Sequence, residues 1–257
     1  ICLFLTIFTT NLCISYAPLA TTSSVSRRTL GSYCPWNGIC FQYLTLAEDM
    51  SSNMIVNYHT YSYSHTSSQV LYSTSSFDPK TVKPQDISFV ASECLRVSNI
   101  WDEERYQCAG YLNNLQPNST YYYSLRISIT GQNTVLNSDL FKFRTAPALA
   151  DQSVKFVSGG NLPWAYTSSE VIAKYAAAQE PLFAVVNGGM GFDNGCNFCY
   201  RKWDVFLQKW QSTMVTPTGY TIPMLTVAGN HDTGGFKRPA SDNQFYIQYF
   251  PHTMKAQ

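Results

Sequence analysis

An apolar run from Thr221 to Ala228 leads directly into Gly229-Asn230-His231-Asp232. Those side chains are of the kind that handle a metal ion and an anionic ester together. An Asn amide oxygen can ligate a cation, an imidazole beside it can face a leaving oxygen, and carboxylates on neighbouring strand ends would bridge a pair of ions. The strand ends that ought to supply those carboxylates read Phe156-Val157-Ser158-Gly159-Gly160-Asn161 and Ala184-Val185-Val186-Asn187-Gly188-Gly189-Met190-Gly191-Phe192-Asp193-Asn194-Gly195. Asn and Gly stand where a cation would want Asp. Asn161 and Asn230 are the candidate metal ligands and His231 the candidate catalytic residue, in a set short of negative charge.

Residues so far apart in the chain can meet only on a scaffold that ends several strands together. The spacing predicts a strand over 154–157, a helix over 168–179, a strand over 181–186, a helix over 200–213 and a strand over 222–228. Strands alternating with helices imply a largely parallel sheet covered on both faces. In such sheets chemistry sits beyond the carboxyl ends of the strands, where Asn161, Gly189 and Asn230 all fall. Trp203, Phe206 and Trp210 share one helical face and read as core.

The preceding stretch obeys a different grammar. Short runs rich in Tyr, Val, Ile and Thr (54–58, 69–72, 120–128, 140–144) are separated by Ser, Asn, Gly and Pro clusters, which predicts an antiparallel sandwich. Leu115, Pro117, Ser119, Tyr121 and Tyr123 recur at period two and resemble the tyrosine-corner stretch of fibronectin type III-like domains, where a Tyr ties a loop to its strand. Core and cross-strand packing accounts for the 15% aromatic content better than a sugar-binding platform does.

Composition narrows compartment and partners. With 13% charged residues and a formal net charge of +1, the 257-residue chain carries no field that would attract nucleic acid or an anionic membrane. Residues 1–17 are apolar and uncharged, with Ser15 and Ala17 spaced as at a signal-peptidase site, which predicts a partial signal peptide cut near Ala17 and a secreted or endomembrane-lumen protein. The competing reading of that run is an N-terminal strand or a membrane anchor; it falls short of a span of ~20 apolar residues. Removing it leaves Cys34, Cys40, Cys94, Cys108, Cys196 and Cys199, an even set for disulfides. Nearest-neighbour pairing is one of the fifteen connectivities open to six cysteines. Cys196-Asn197-Phe198-Cys199 could also be a redox centre or half a zinc site; it is placed here in a loop between elements rather than opening a thioredoxin-type helix, and no second Cys or His pair completes a zinc tetrahedron. Asn118-Ser119-Thr120 is a glycosylation sequon in an expected exposed loop.

A sandwich followed by an α/β segment ending in Gly-Asn-His-Asp/Glu resembles the purple acid phosphatases, within the calcineurin-like metallophosphoesterases. Glu180 to Val186, Asp193-Asn194-Gly195, Arg201-Lys202-Trp203-Asp204 and Tyr220 to Leu225 add to the likeness. It implies a partial signal peptide at 1–17, an N-terminal segment at 18–40, a fibronectin type III-like domain at 41–147, and the N-terminal part of a metallophosphoesterase domain at 152–257. It also implies a two-metal centre (Fe with Zn, Mn or Fe), phosphate monoesters as substrates and acid phosphatase chemistry. The free faces of a sandwich are compatible with an oligomer.

Five short motifs build the family's site. In the first, Gly160 is kept and Asn161 replaces the Asp ligand. In the second, Gly189 stands at the bridging carboxylate and Phe192 at the phenolate, positions where neither side chain can coordinate; the Asp193-Asn194-Gly195 that follows reads as a turn. The third, Gly229-Asn230-His231-Asp232, is intact. The fourth and fifth, Val-x-x-His and Gly-His-x-His, lie further along in the family than residue 257, and His252 comes too early to stand for either. The resemblance therefore implies either a metal-dependent monoester hydrolase that is weak or inactive as it stands, or a non-catalytic secreted glycoprotein acting in binding or assembly. On this reading, restoring Asn161→Asp, Gly189→Asp and Phe192→Tyr would raise metal occupancy.

Overall fold

A computed structural model of the chain describes residues 2–7, 10–15, 38–61, 65–98, 100, 104–129, 134–148, 152–161, 166–233 and 244–251. Strands β1 (Cys2–Ile7) and β2 (Thr10–Ser15) pair antiparallel, within the stretch expected to be a leader. The cleavage position at Ala17, Cys34 (the expected partner of Cys40) and His252 lie outside the described residues.

The sandwich has two sheets. β3 (Ile39–Thr45), β4 (Met54–Tyr61), β7 (Glu93–Arg96) and β8 (Arg105–Leu112) run in the order β3-β4-β8-β7. Against them stand β5 (His65–Ser73), β6 (Ser88–Ala91), β9 (Thr120–Ile129), β10 (Val135–Asn137) and β11 (Phe141–Arg144), with β9 at the centre. Ile39, Val56, Tyr58, Val70, Leu125, Ile127 and Phe143 meet between the sheets, one apolar side chain at every second position of their strands. β7 and β8 were not foreseen in the sequence, because Cys, Ala, Gly and Gln dilute the β-branched signal there. Gly110 of β8 explains itself by packing: a Cβ at that position would lie 2.4 Å from Cγ2 of Val70 on the facing sheet. The expected tyrosine corner is present, with the Tyr121 hydroxyl accepting the N–H of Gln116 at 2.8 Å.

Three parallel strands follow, β12 (Phe156–Gly159), β13 (Phe183–Asn187) and β14 (Met224–Val227). They do not form a separate sheet. β14 joins β3 through the pair Met224 and Thr45, and the Leu46 N–H donates to the Met224 carbonyl at 3.1 Å, so one seven-stranded sheet runs through both halves. The rest of that β3 edge is managed locally. Phe41 sits at φ 51° in a register shift, and the Gln42 N–H donates to Oε1 of Gln211 at 3.0 Å.

Helices α1 (Thr167–Ala177), α2 (Tyr200–Thr213) and α4 (Gln244–Tyr249), with the single turn α3 (Asn230–Thr233), complete the fold. Trp203, Phe206 and Trp210 of α2 are buried with Ala184 and Met224, as the helical spacing predicted. Residues of both faces of β12 and β13 are packed, Val157, Ala184 and Val186 in the cluster with α2 and Phe156, Phe183 and Val185 in the sandwich cluster, while Leu225 and Val227 of β14 are 39% and 55% exposed. Arg105 of β8 ion-pairs with Asp204 of α2, both 2% exposed at the side chain. A second bond runs from Arg105 Nη2 to Asp204 Oδ2 at 3.1 Å, and the guanidinium lies over the rings of Phe41 and Tyr200 at 5.4 and 5.1 Å. This pair ties the sandwich to the helical layer.

Two of the expected disulfides are formed, Cys94–Cys108 and Cys196–Cys199. The first joins register partners on β7 and β8. The second lies in the loop between β13 and α2, as expected, and ends at Cys199, the N-cap residue of α2. No helix among the described residues is long and apolar enough to cross a membrane.

Candidate functional site

The ends of β12, β13 and β14 bring together all the residues singled out as ligands or as their replacements. They meet through backbone. The Asn161 N–H donates to the Gly188 carbonyl at 2.8 Å, and Asn161 itself holds φ 54°. A Cβ on Gly188 would lie 2.5 Å from Cα of Gly229, and one on Gly160 would lie 2.6 Å from the Asn187 carbonyl oxygen. At Gly189, the bridging position, a Cβ would lie 2.6 Å from Cα of Asn161, and φ there is +67°. Both the space and the dihedral require glycine. The chain of Asn161 therefore fills the volume from which a carboxylate would have to project.

Asp232 is the residue whose importance the sequence reading missed. It is fully buried. Its Oδ2 accepts the N–H groups of Gly189 at 2.7 Å and Gly229 at 3.1 Å, and its Oδ1 those of Met190 at 2.9 Å, Gly191 at 3.0 Å and Phe192 at 3.3 Å. Successive N–H groups converging on one anion form a nest, and here the anion is part of the chain. The signal was legible in principle: a glycine-rich loop turns unblocked N–H groups inward and needs an acceptor.

His231 stands at the rim. Its ring lies against Phe192, centroids 4.8 Å apart and 18° from parallel, and its Nδ1 is 2.7 Å from Oδ1 of Asn194. The Asn194 N–H donates in turn to the His231 carbonyl at 2.8 Å. Phe192, expected from the resemblance at a phenolate position, thus meets the imidazole face to face. Asp193 keeps the turn role expected of it, accepting the Gly195 N–H at 2.8 Å and Nε1–H of Trp203 at 2.7 Å. Burial raises its carboxyl above the ordinary aspartate value against the pull of the Trp203 hydrogen bond, with the Asp232 charge adding to the rise. Asn230 is exposed. A cavity of about 50 Å³ behind the loops is walled by Val157, Ala173, Ala184, Val186 and Trp210, an apolar lining that offers a cation little.

These residues can be set against the requirements of a two-ion centre. Such a centre needs anionic oxygen donors aimed at a shared point. Asp232 is committed to five N–H groups, Gly189 has no side chain and no room for one, and Asn161 and Asn230 bring no charge. No group of three or more His, Cys, Asp or Glu among the described residues is placed to hold a metal ion. The described loops do not fit the pair of ions.

Comparison with known proteins accounts for this geometry in part. Residues 40–145 match the family model of the purple acid phosphatase N-terminal domain. The structure of a purple acid phosphatase from seeds of yellow lupin (Lupinus luteus) aligns with a TM-score of 0.63 at 17% identity, over 86% of this chain and 42% of the lupin protein. The chain thus spans less than half the length of that relative. A sensor domain of an anti-sigma factor from Pseudobacteroides cellulosolvens (TM-score 0.26, 12% identity, 44% of this chain and 96% of that one) and a redesigned β-sandwich protein (0.25, 17%, 42% and 96%) overlap too loosely to inform the reading. No curated protein matches the chain. Relation to the family implies a binuclear metal centre, and the disulfide pairs fit an extracellular protein. Residues 40–145 thus carry the purple acid phosphatase N-terminal domain, and the chain shares the fold of the lupin protein over 86% of its length.

Proposed function

We propose that this chain is a secreted, non-hydrolytic relative of the purple acid phosphatases, a pseudophosphatase whose strand-end loops hold one another in place of two metal ions and whose surfaces serve binding or assembly. The observation that carries this reading is the position of Asn161, whose Cα would lie 2.6 Å from a Cβ at Gly189. Ligand loss alone could be reversed by substitution; a filled site cannot. Metal content per chain, measured on the full-length protein purified from its own secretions, tests the proposal together with turnover of an aryl phosphate. The expected result is well under one ion per chain and no turnover sensitive to vanadate or chelator. Two ions per chain with chelator-sensitive turnover would overturn it.

The intact Gly229-Asn230-His231-Asp232 favours a second reading, metal-dependent hydrolysis of phosphate monoesters with His231 assisting the leaving oxygen and Asn230 as a ligand. Under that reading the loops separate when ions bind. Glycosylation at Asn118 belongs to the same proposal: the residue is exposed, at φ 51° in a turn, with its N–H donated to the Ala146 carbonyl at 2.9 Å. A mass shift on treatment with a glycan-cleaving amidase checks it.

A further inference from the structure

We propose that Cys196–Cys199 is a thiol–disulfide exchange centre, and that its redox state sets the order of the loop holding His231. The inference is independent of whether the site hydrolyses anything.

Several observations converge on this bond. The two cysteines are three positions apart, so their disulfide closes a very short loop and removes little chain entropy from the unfolded state. Its role in stability is correspondingly small. Neither cysteine is buried, and Phe198 between them is 63% exposed, so an incoming thiol and the chain that carries it can reach the sulfurs. Cys199 is the N-cap residue of the 14-residue helix α2, which has no acidic residue in its first turn. A helix N-terminus favours a cysteine thiolate over the thiol. By contrast, Cys94–Cys108 joins two strands in register, with Cys108 fully buried.

These asymmetries assign a direction to the exchange. A thiolate of an external dithiol attacks Sγ of Cys196, the sulfur away from the helix. The S–S bond breaks and its electron pair leaves on Sγ of Cys199, where the α2 N-terminus stabilises the charge. The second thiol of the reagent, once deprotonated, then attacks its own sulfur in the mixed disulfide and expels Cys196 as thiolate. Both protein thiolates take up the two protons the reagent lost. The protein disulfide is reduced by two electrons and the external dithiol is oxidised to its disulfide.

The consequence for the site runs through one short segment. The Cys196 N–H donates to the Asp193 carbonyl at 3.1 Å and the Cys199 N–H to the Cys196 carbonyl at 3.2 Å, so the bridge closes the turn whose preceding residue, Asn194, holds the imidazole of His231. Opening the bridge frees residues 194–199 to move apart from α2.

The test is a titration of the full-length protein in buffers of reduced and oxidised dithiothreitol, with alkylation of free thiols, peptide mapping by mass spectrometry, and amide exchange on the same samples. Cys196 and Cys199 should become alkylated at a reduced-to-oxidised ratio at least ~100-fold lower than Cys94 and Cys108 need. Exchange at 192–199 and 230–232 should rise there while tryptophan fluorescence stays native. In Cys196→Ser protein, dithiothreitol should leave the exchange of these residues unchanged. Reduction of both bridges at one ratio, or reduction of Cys196–Cys199 with unchanged exchange at 192–199, would overturn the proposal.

Discussion

The sandwich and the loop cluster are held together by opposite means. In the sandwich, side chains do the joining: Val70 reaches Gly110, Tyr121 reaches the backbone of Gln116, and rings and aliphatic groups fill the space between the sheets. Among the loops, main chain touches main chain, with glycines at 160, 188, 189 and 229 allowing the approach and one carboxylate gathering five N–H groups. The difference matters for change. A packing surface made of side chains tolerates conservative exchange, whereas a backbone contact admits no side chain at all.

Five measurements test this contrast. The largest effect should come where the two regions meet. Asp204→Ala leaves the Arg105 guanidinium buried without its carboxylate and should cost about 3–5 kcal/mol in urea unfolding; a loss below ~1 kcal/mol would mean that water enters the pair. Next, Asp232→Asn turns an amide group toward N–H donors and should cost about 3 kcal/mol, with amide exchange at 189–192 accelerated while β9 stays protected. Gly189→Asp, the substitution that sequence alone would recommend for restoring a metal ligand, should instead destabilise the protein by roughly 2–3 kcal/mol and add no bound metal by native mass spectrometry.

A smaller effect should follow pH. His59 is fully buried among Phe41, Tyr43 and Tyr249, and burial, with the Arg105 charge second, holds its imidazole well below the ordinary histidine range. The folded state therefore keeps His59 neutral while the unfolded state takes up a proton below about pH 6.5. Stability should fall by up to ~1.4 kcal/mol per pH unit from there down to the depressed folded value, and His59→Phe should flatten that limb of the curve. Smallest of all, Tyr121→Phe removes one hydrogen bond in the sandwich and should cost about 1 kcal/mol without altering exchange in the loops.

The sequence announced the elements more readily than their contacts. Helix α2 was legible to the residue because Trp203, Phe206 and Trp210 mark a helical face, and the parallel strands because short apolar runs end in glycine. β7 and β8 were missed because their identity lies in register, β8 with β4 and β7 with β8, rather than in residue type. At the site, the family resemblance named the positions where ligands would be expected. It could not show that the Asn161 backbone lies 2.6 Å from where a Cβ on Gly189 would stand, since that is a property of two backbones 28 residues apart. The role of Asp232 was hidden for a related reason: a string of letters does not say which way an N–H points.

The join between Thr45 and Met224 also sets a timetable. β3 is made early and β14 late, and at ordinary rates of synthesis roughly 10–40 s separate them. During that interval the sandwich can close around β4, β5, β8 and β9, but the outer end of β3 has neither Met224 nor Gln211 to accept or offer its hydrogen bonds. A nascent chain at that stage presents an open strand edge in a compartment crowded with other unfinished sandwiches. Its yield in the cell should therefore depend less on final stability than on what shields seven residues while the ribosome finishes the rest.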